Sequence, residues 1–422
     1  MTSTEGFRTY LYPPGHARIQ SLKGLDAYGY REAAKQGGFT GELIRGWTPL
    51  YFEPFRGVTS DGNTISGLFP LIPALPGEEA PVAAMAAAAS ELQAHLSGEE
   101  LDRVSYPVDA ADWQSWANPE FMQHDTGLRL ESIDAVTRDL VLRLVGTSLS
   151  LEGYDLVRTL MRINGFLGDL VGLPDLMNEY SYNFALYGTP SVTEPWGWQL
   201  FGHHVAVNCL VAGTQMVMTP VFFGAEPNCI DEGPFQGAVV FEKRIDLSRK
   251  LMQSLRPTQQ QTARVFPTMV DPAMPEGRVH PGDERHLAGA FQDNRIIPYE
   301  GIRVSDLDTP SRVLLDALVK DFTAHLPPGP AAARRREIAE HYDNTWFTWI
   351  GGFGNNDVFY CRVQSPVVIL ELDHHCGVFL SNDSPQPFHI HTVMRTPNGN
   401  DYGRALVREH QQACPGYLTE RV

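Results

Sequence analysis

Three short runs follow one another late in the chain: Asp357–Gln364 (DVFYCRVQ), Pro366–Asp373 (PVVILELD) and His389–Arg395 (HIHTVMR). Their β-branched and aromatic content, without helical period, reads as strand. Side chains on a strand alternate between its faces, so His389, His391, Val393 and Arg395 share one face. Val367, Ile369, Glu371 and Asp373 share a face on the strand before it. Two imidazoles, two carboxylates and a guanidinium in that pattern form a candidate metal site with an anion clamp beside it. Imidazole with carboxylate suits zinc, manganese or iron. A His-x-His on a strand also makes an ordinary polar face, and Glu371 and Asp373 could simply pair with Arg395. Spacing alone leaves both readings open.

The rest of the chain alternates helix pairs with β blocks. Ala80–Leu96 reads as helix, and Ser97 with Glu100 as a capping box. Ile133–Leu149 and Leu151–Leu173 carry apolar stripes and a short break between them, which predicts an antiparallel pair. Tyr182–Tyr187, Trp196–His204, Val205–Ala212 and Met216–Phe223 read as strands, with Gly213-Thr214 as a turn. Helical patterns return at Phe241–Leu255, Thr258–Val265, Ser305–Leu326 and Ala331–Tyr342. Between them, 270–301 is long, proline-rich and without period, a functional loop or a surface insertion. The helix-then-β sequence at 133–223 recurs at 241–396. The fold class this predicts is α+β, antiparallel sheet packed against helix pairs in two similar halves. Residues 1–130 read as an irregular and helical N-terminal region, and 131–422 as the α+β domain with the site.

The 422 residues carry a formal net charge of −17, which disfavours nucleic acid and anionic membrane surfaces as partners. No nucleotide-binding glycine motif follows a strand, so no nucleotide cofactor is expected. Five scattered cysteines without a C-x-x-C pair, and no secretory pattern at the N-terminus, predict a cytoplasmic protein.

A second constellation lies in Trp196–Cys209 (WGWQLFGHHVAVNC). If the strand runs straight through it, His204 and Asn208 face one way and His203 the other, towards apolar neighbours. That makes His204 a ligand or general base and His203 a core histidine. Trp198 could stack a planar substrate, although tryptophans fill cores more often. His280, Asp283, Glu284 and His286 could also bind metal, but so polar a loop is more often solvated. Of His374 and His375, beside Asp373, one is expected at the site and the other exposed.

WGWQLFGHHVAVNC, VMTPVFFGAEP, PVVILELDHHCGV and HIHTVMRTPNGNDYG, with FRGVTSDG upstream, resemble the bacterial and fungal family known as domain of unknown function 3500. The likeness runs in matching order from about Phe55 to His410. The family's motif positions fall here on Gly202, His203, His204, Glu371, Asp373, His389, His391, Arg395, Asp401 and His410. The resemblance implies that 374 and 375, often Asn or Gln in relatives, set substrate choice. It implies no reaction.

The functional expectation is a metal-dependent hydrolase or lyase acting on a small anionic, carboxylate-bearing molecule. Its metal ligands would be His389, His391, Glu371 and His204, and its catalytic residues His204, Arg395 and Asp373. Substrate contacts would come from Trp198, Arg395, Asn208 and His374. A non-heme iron(II) oxygenase on a His/His/carboxylate set is one alternative. A non-enzymatic small-ligand-binding protein is the other.

Overall fold

The computed structural model describes residues 6–414. An α+β architecture is built on one mixed, mostly antiparallel twelve-stranded sheet. Eight strands make up most of it: β1 (Tyr182–Tyr187), β2 (Trp196–Gly202), β3 (Val205–Ala212), β4 (Gln215–Ala225), β5 (Trp346–Gly351), β6 (Phe359–Gln364), β7 (Ile369–His374) and β8 (Ile390–Arg395). Their order is β1-β2-β3-β4-β8-β7-β6-β5. Each half is a four-stranded meander, and the two join antiparallel through their last strands, β4 and β8. Even the edges match: two short pieces extend β1, Ser105–Tyr106 and Leu128–Arg129, and two extend β5, Arg264–Phe266 and Ile302–Arg303. The recurrence in the sequence therefore corresponds to two halves of alike topology.

The helices begin where capping residues stop the extended backbone. Asp134 accepts from the Val136 and Thr137 amides to start α2 (Ala135–Ser148), and Ser150 accepts from Gly153 to start α3 (Leu151–Val171). The antiparallel pairing expected of these two does not occur. The main partner of α2 is α1 (Val82–His95), and α4 (Glu242–Ser254) likewise packs along α5 (Thr309–Phe322). Short breaks fix sequence order, whereas apolar area decides which helices pack. One hydrophobic core runs from Leu43 and Trp47, through Trp113 and Trp116, to Leu406 and Val407, so 1–130 and 131–422 share it.

Residues 270–301 contain no helix or strand; 270–282 is largely exposed, whereas 283–293 is largely buried. Strand side chains tie this segment to the sheet. Glu371 accepts from the Leu287 and Ala288 amides, and Asp373 from the Arg285 amide. Arg395 donates to the Ala288 and Gly289 carbonyls, and Gln364 to the Ile297 carbonyl. Backbone that lacks its own ladder must find partners elsewhere when buried, and here charged strand residues supply them.

Candidate metal centre

One cross-strand row carries the site: Ile350, Tyr360, Asp373, His391 and Gly224 stand side by side on β5, β6, β7, β8 and β4. The row ends at His204, whose carbonyl accepts from the Gly224 amide at 2.8 Å. Gly202 pairs with Val205, so His203-His204 is the two-residue turn joining β2 to β3. His204 adopts φ +65°, the left-handed conformation that tight hairpins need. The expectation of a continuous strand with these rings on opposite faces is corrected. The rings stack at 3.8 Å between centroids.

The turn aims His204 at β8. Its Nε2 lies 3.1 Å from His391 Nε2, and His389 Nε2 lies 3.0 Å from the same atom. Gly224 makes the room, because a Cβ there would meet the His204 and His391 rings at 2.8 Å. All three histidines are buried. The Cys376 carbonyl, 2.6 Å from His389 Nδ1, assigns the proton to that nitrogen and leaves Nε2 with a lone pair. His391 can offer one Nε2–H at most, so it cannot satisfy both neighbours. Burial first, and the adjacent histidines second, hold the His204 and His391 imidazoles far below their ordinary pKa. Three neutral nitrogens this close match the spacing around a metal: ligands at about 2.0–2.1 Å from zinc stand roughly 3.0–3.4 Å apart.

A second group overlaps the first. Ligand atoms of His286, His375 and His391 lie within 4.8 Å of one another, as do those of His204, His389 and His391. His286 comes from the tied-down irregular segment and His375 from the residue after β7. The two carboxylates expected at the ion stand behind these rings instead. Glu371 Oε2 is 3.4 Å from His286 Nδ1, and Asp373 Oδ2 is 3.2 Å from His375 Nε2. Burial pushes the Glu371 carboxyl up, but His286, Arg362 and the Leu287 amide outweigh it and bring the pKa to about 2. Burial opposes ionisation of Asp373 as well, and Arg285 with His375 more than offsets it.

The structure does not bring the remaining expected residues to this centre in their expected roles. Arg395 is fully buried and donates to Asp293, Asp401 and two carbonyls. It is a strut under the 288–293 backbone, with no free edge for a substrate carboxylate. The Trp198 indole is buried and donates to Ser148. Asn208 donates to the Pro220 carbonyl and accepts from Gln199. His374 is held through Nδ1 at the Phe359 backbone, and neither it nor His375 is exposed. Arg395, Trp198, Asn208 and His374 are thus buried polar groups already engaged by the fold. Glu371 has three donors in the Leu287 and Ala288 amides and the Tyr360 hydroxyl, which removes it as a ligand of the His389–His391 ion. Asp373 accepts from Arg285 and orients His375, so a proton-transfer role for it has no geometric basis here. His203, read as a core histidine, is buried and bonded to Asn164 Oδ1 at 2.8 Å.

The group that sequence reasoning ranked as the weaker candidate is the His280–His286 cluster. Its signal was visible as two histidines and two acids within seven residues of proline-rich chain. Only the partners on β7 and β8 show that Asp283 and His286 are buried, with His280 and Glu284 half-buried beside them. One overlooked residue is Arg278, 6% exposed, whose guanidinium lies over the Tyr360 ring at 5.0 Å. Its Nη1 donates to the Arg285 carbonyl, while Nε and Nη2 are buried without a hydrogen-bond partner.

Residues 78–404 match the model of a family described as protein of unknown function (DUF3500). No curated protein and no solved structure matches the chain.

Proposed function

For this chain, which belongs to the DUF3500 family, we propose the function of a metal-dependent enzyme, of hydrolase or lyase type, acting on a small anionic molecule. The ion would sit on Nε2 of His204, His389 and His391. The observation that carries the reading is the meeting of these three buried nitrogens at 3.0 and 3.1 Å, with too few protons to join them. Zinc or manganese there would supply Lewis acidity and a water acidic enough to act near neutral pH. Three histidines and no carboxylate depart from the His/His/carboxylate set of iron oxygenases, which favours redox-neutral chemistry.

Support for an anionic substrate now comes from Arg278 in place of Arg395. A buried guanidinium with two unpaired nitrogens is costly unless an anion meets it. Tyr360 connects it to the centre, since this ring underlies Arg278 and its hydroxyl donates to Glu371 at 2.5 Å. Burial of the histidines favours a second reading, a closed metal centre in a non-enzymatic binding protein, because catalytic sites keep a ligand position open. Among the described residues no helix is long and apolar enough to cross a membrane.

The test is chelator dialysis of protein purified without a histidine tag, followed by thermal unfolding with zinc, manganese or iron(II) restored. The expected result is a higher midpoint with one of these ions and none of that gain in His391→Ala. No gain with any ion overturns the metal reading. Metal-dependent turnover of carboxylate-bearing esters and amides separates the enzyme from the closed centre.

A further inference from the structure

We propose that the protein holds two transition-metal ions side by side, the second on His286 and His375, with the His391 ring shared between them. The proposal rests on the three-histidine reading above and adds a site to it. Several observations converge on the second position. Ligand atoms of His286, His375 and His391 lie within 4.8 Å of one another, and all three rings are buried. Both nitrogens of His286 and Nδ1 of His391 have no hydrogen-bond partner. An orphaned buried polar atom is costly, so several on facing rings call for a common occupant.

His391 is where the two groups meet. Its Nε2 faces His204 and His389, which leaves Nδ1 as the unpaired atom. The two nitrogens of an imidazole point away from each other, so one ring can serve two ions. The carboxylates fit the same scheme. Glu371 stands 3.4 Å from Nδ1 of His286, on the side away from that ring's unpartnered Nε2, and His375 has Asp373 3.2 Å from its own unpartnered Nε2 and Glu284 3.8 Å from Nδ1. Carboxylates in this position orient liganding imidazoles and raise their basicity. Asp283, 2% exposed, adds a third carboxylate, its Oδ2 without a hydrogen-bond partner and 3.5 Å from His280 Nδ1. Imidazoles backed by buried carboxylates suit a divalent cation of the zinc, manganese or iron class.

The experiment is a titration of chelator-stripped, tag-free, full-length protein with Zn²⁺ against a competing chromophoric chelator. Two equivalents are expected for the wild type, one for the His286→Gln/His375→Gln double variant, and one for His204→Gln. In a protein loaded with Cu²⁺, the electron paramagnetic resonance signal should show coupling between the ions, and the double variant should lose it. One equivalent in the wild type that His204→Gln abolishes overturns the second ion and leaves the three-histidine reading standing. No bound zinc overturns both. The wild-type stoichiometry decides even if a variant fails to fold.

Discussion

The two histidine groups sit against each other, yet the chain builds them in opposite ways. His204, His389 and His391 belong to the sheet: two lie at the start of β8, and the third is in a hairpin turn whose register is fixed by the Gly202–Val205 pair. Ladder hydrogen bonds position this group. His286 has no ladder behind it. Its backbone is held by side chains, chiefly Glu371 under the Leu287 and Ala288 amides and Arg395 under the Ala288 and Gly289 carbonyls. Charged residues that look like catalytic machinery in the sequence are, in the second group, the scaffold. A strand residue with charge on a buried face therefore has two uses, and its partners decide which.

The largest expected effect follows from removing the anchor of the irregular segment. Glu371→Ala leaves two amides, the Tyr360 hydroxyl and His286 without their carboxylate, and should lower stability by about 3–5 kcal/mol. Limited proteolysis should then cut within 270–301 while the sheet group keeps its metal. Loss of metal from both groups together would erase the distinction.

Glu120 sharpens the same point by contrast. It too is a buried carboxylate, and burial, with little to oppose it, pushes its pKa from 4.5 up to about 7. A raised carboxyl pKa means that the folded state binds more protons, so stability falls as pH rises from about 4.5 towards 7. Glu120→Gln should therefore match the wild type at pH 4 and exceed it at pH 8 by on the order of 3 kcal/mol. Equal stability at both pH values in denaturant titrations would show that burial is not the dominant influence.

Arg395→Lys keeps the charge but cannot reach two carbonyls and two carboxylates at once, and about 2–3 kcal/mol should be lost. As a strut, Arg395 should change the unfolding midpoint with little change in KM, and Arg278→Met the reverse. A large KM increase in Arg395→Lys would restore the clamp. The smallest effect is expected of His203→Phe, which keeps a ring against His204 and removes one buried hydrogen bond, worth about 1 kcal/mol, and should leave metal content unchanged. Metal loss equal to that of His204→Ala would mean that the wrong half of the turn has been chosen.

The strands were legible because their period and residue types agree with their burial, and Ser97–Glu100 is a capping box as read. His389 and His391 share a face because strand alternation is geometric. His204 was singled out for a face it does not have; the positive φ of a tight turn, and not strand alternation, aims it at β8. Helix partners were not legible, since packing depends on distant apolar surface. Nor was the burial of His286, which follows the polar run Asp283-Glu284-Arg285 and whose ring partners Tyr360, Glu371, His375 and His391 are all distant in sequence. Arg395 and Glu371 were recognised as special, but charge, position and burial are the same for a clamp and a strut. Only the count of donors and acceptors around each separates the two.

The central claim is that His204, His389 and His391 bind one ion through Nε2. X-ray absorption on zinc-loaded His286→Gln/His375→Gln protein, purified without a tag, isolates that group. The account predicts nitrogen neighbours at about 2.0–2.1 Å with the multiple-scattering pattern of three imidazoles. A shell dominated by water oxygens, or by one imidazole, would contradict it.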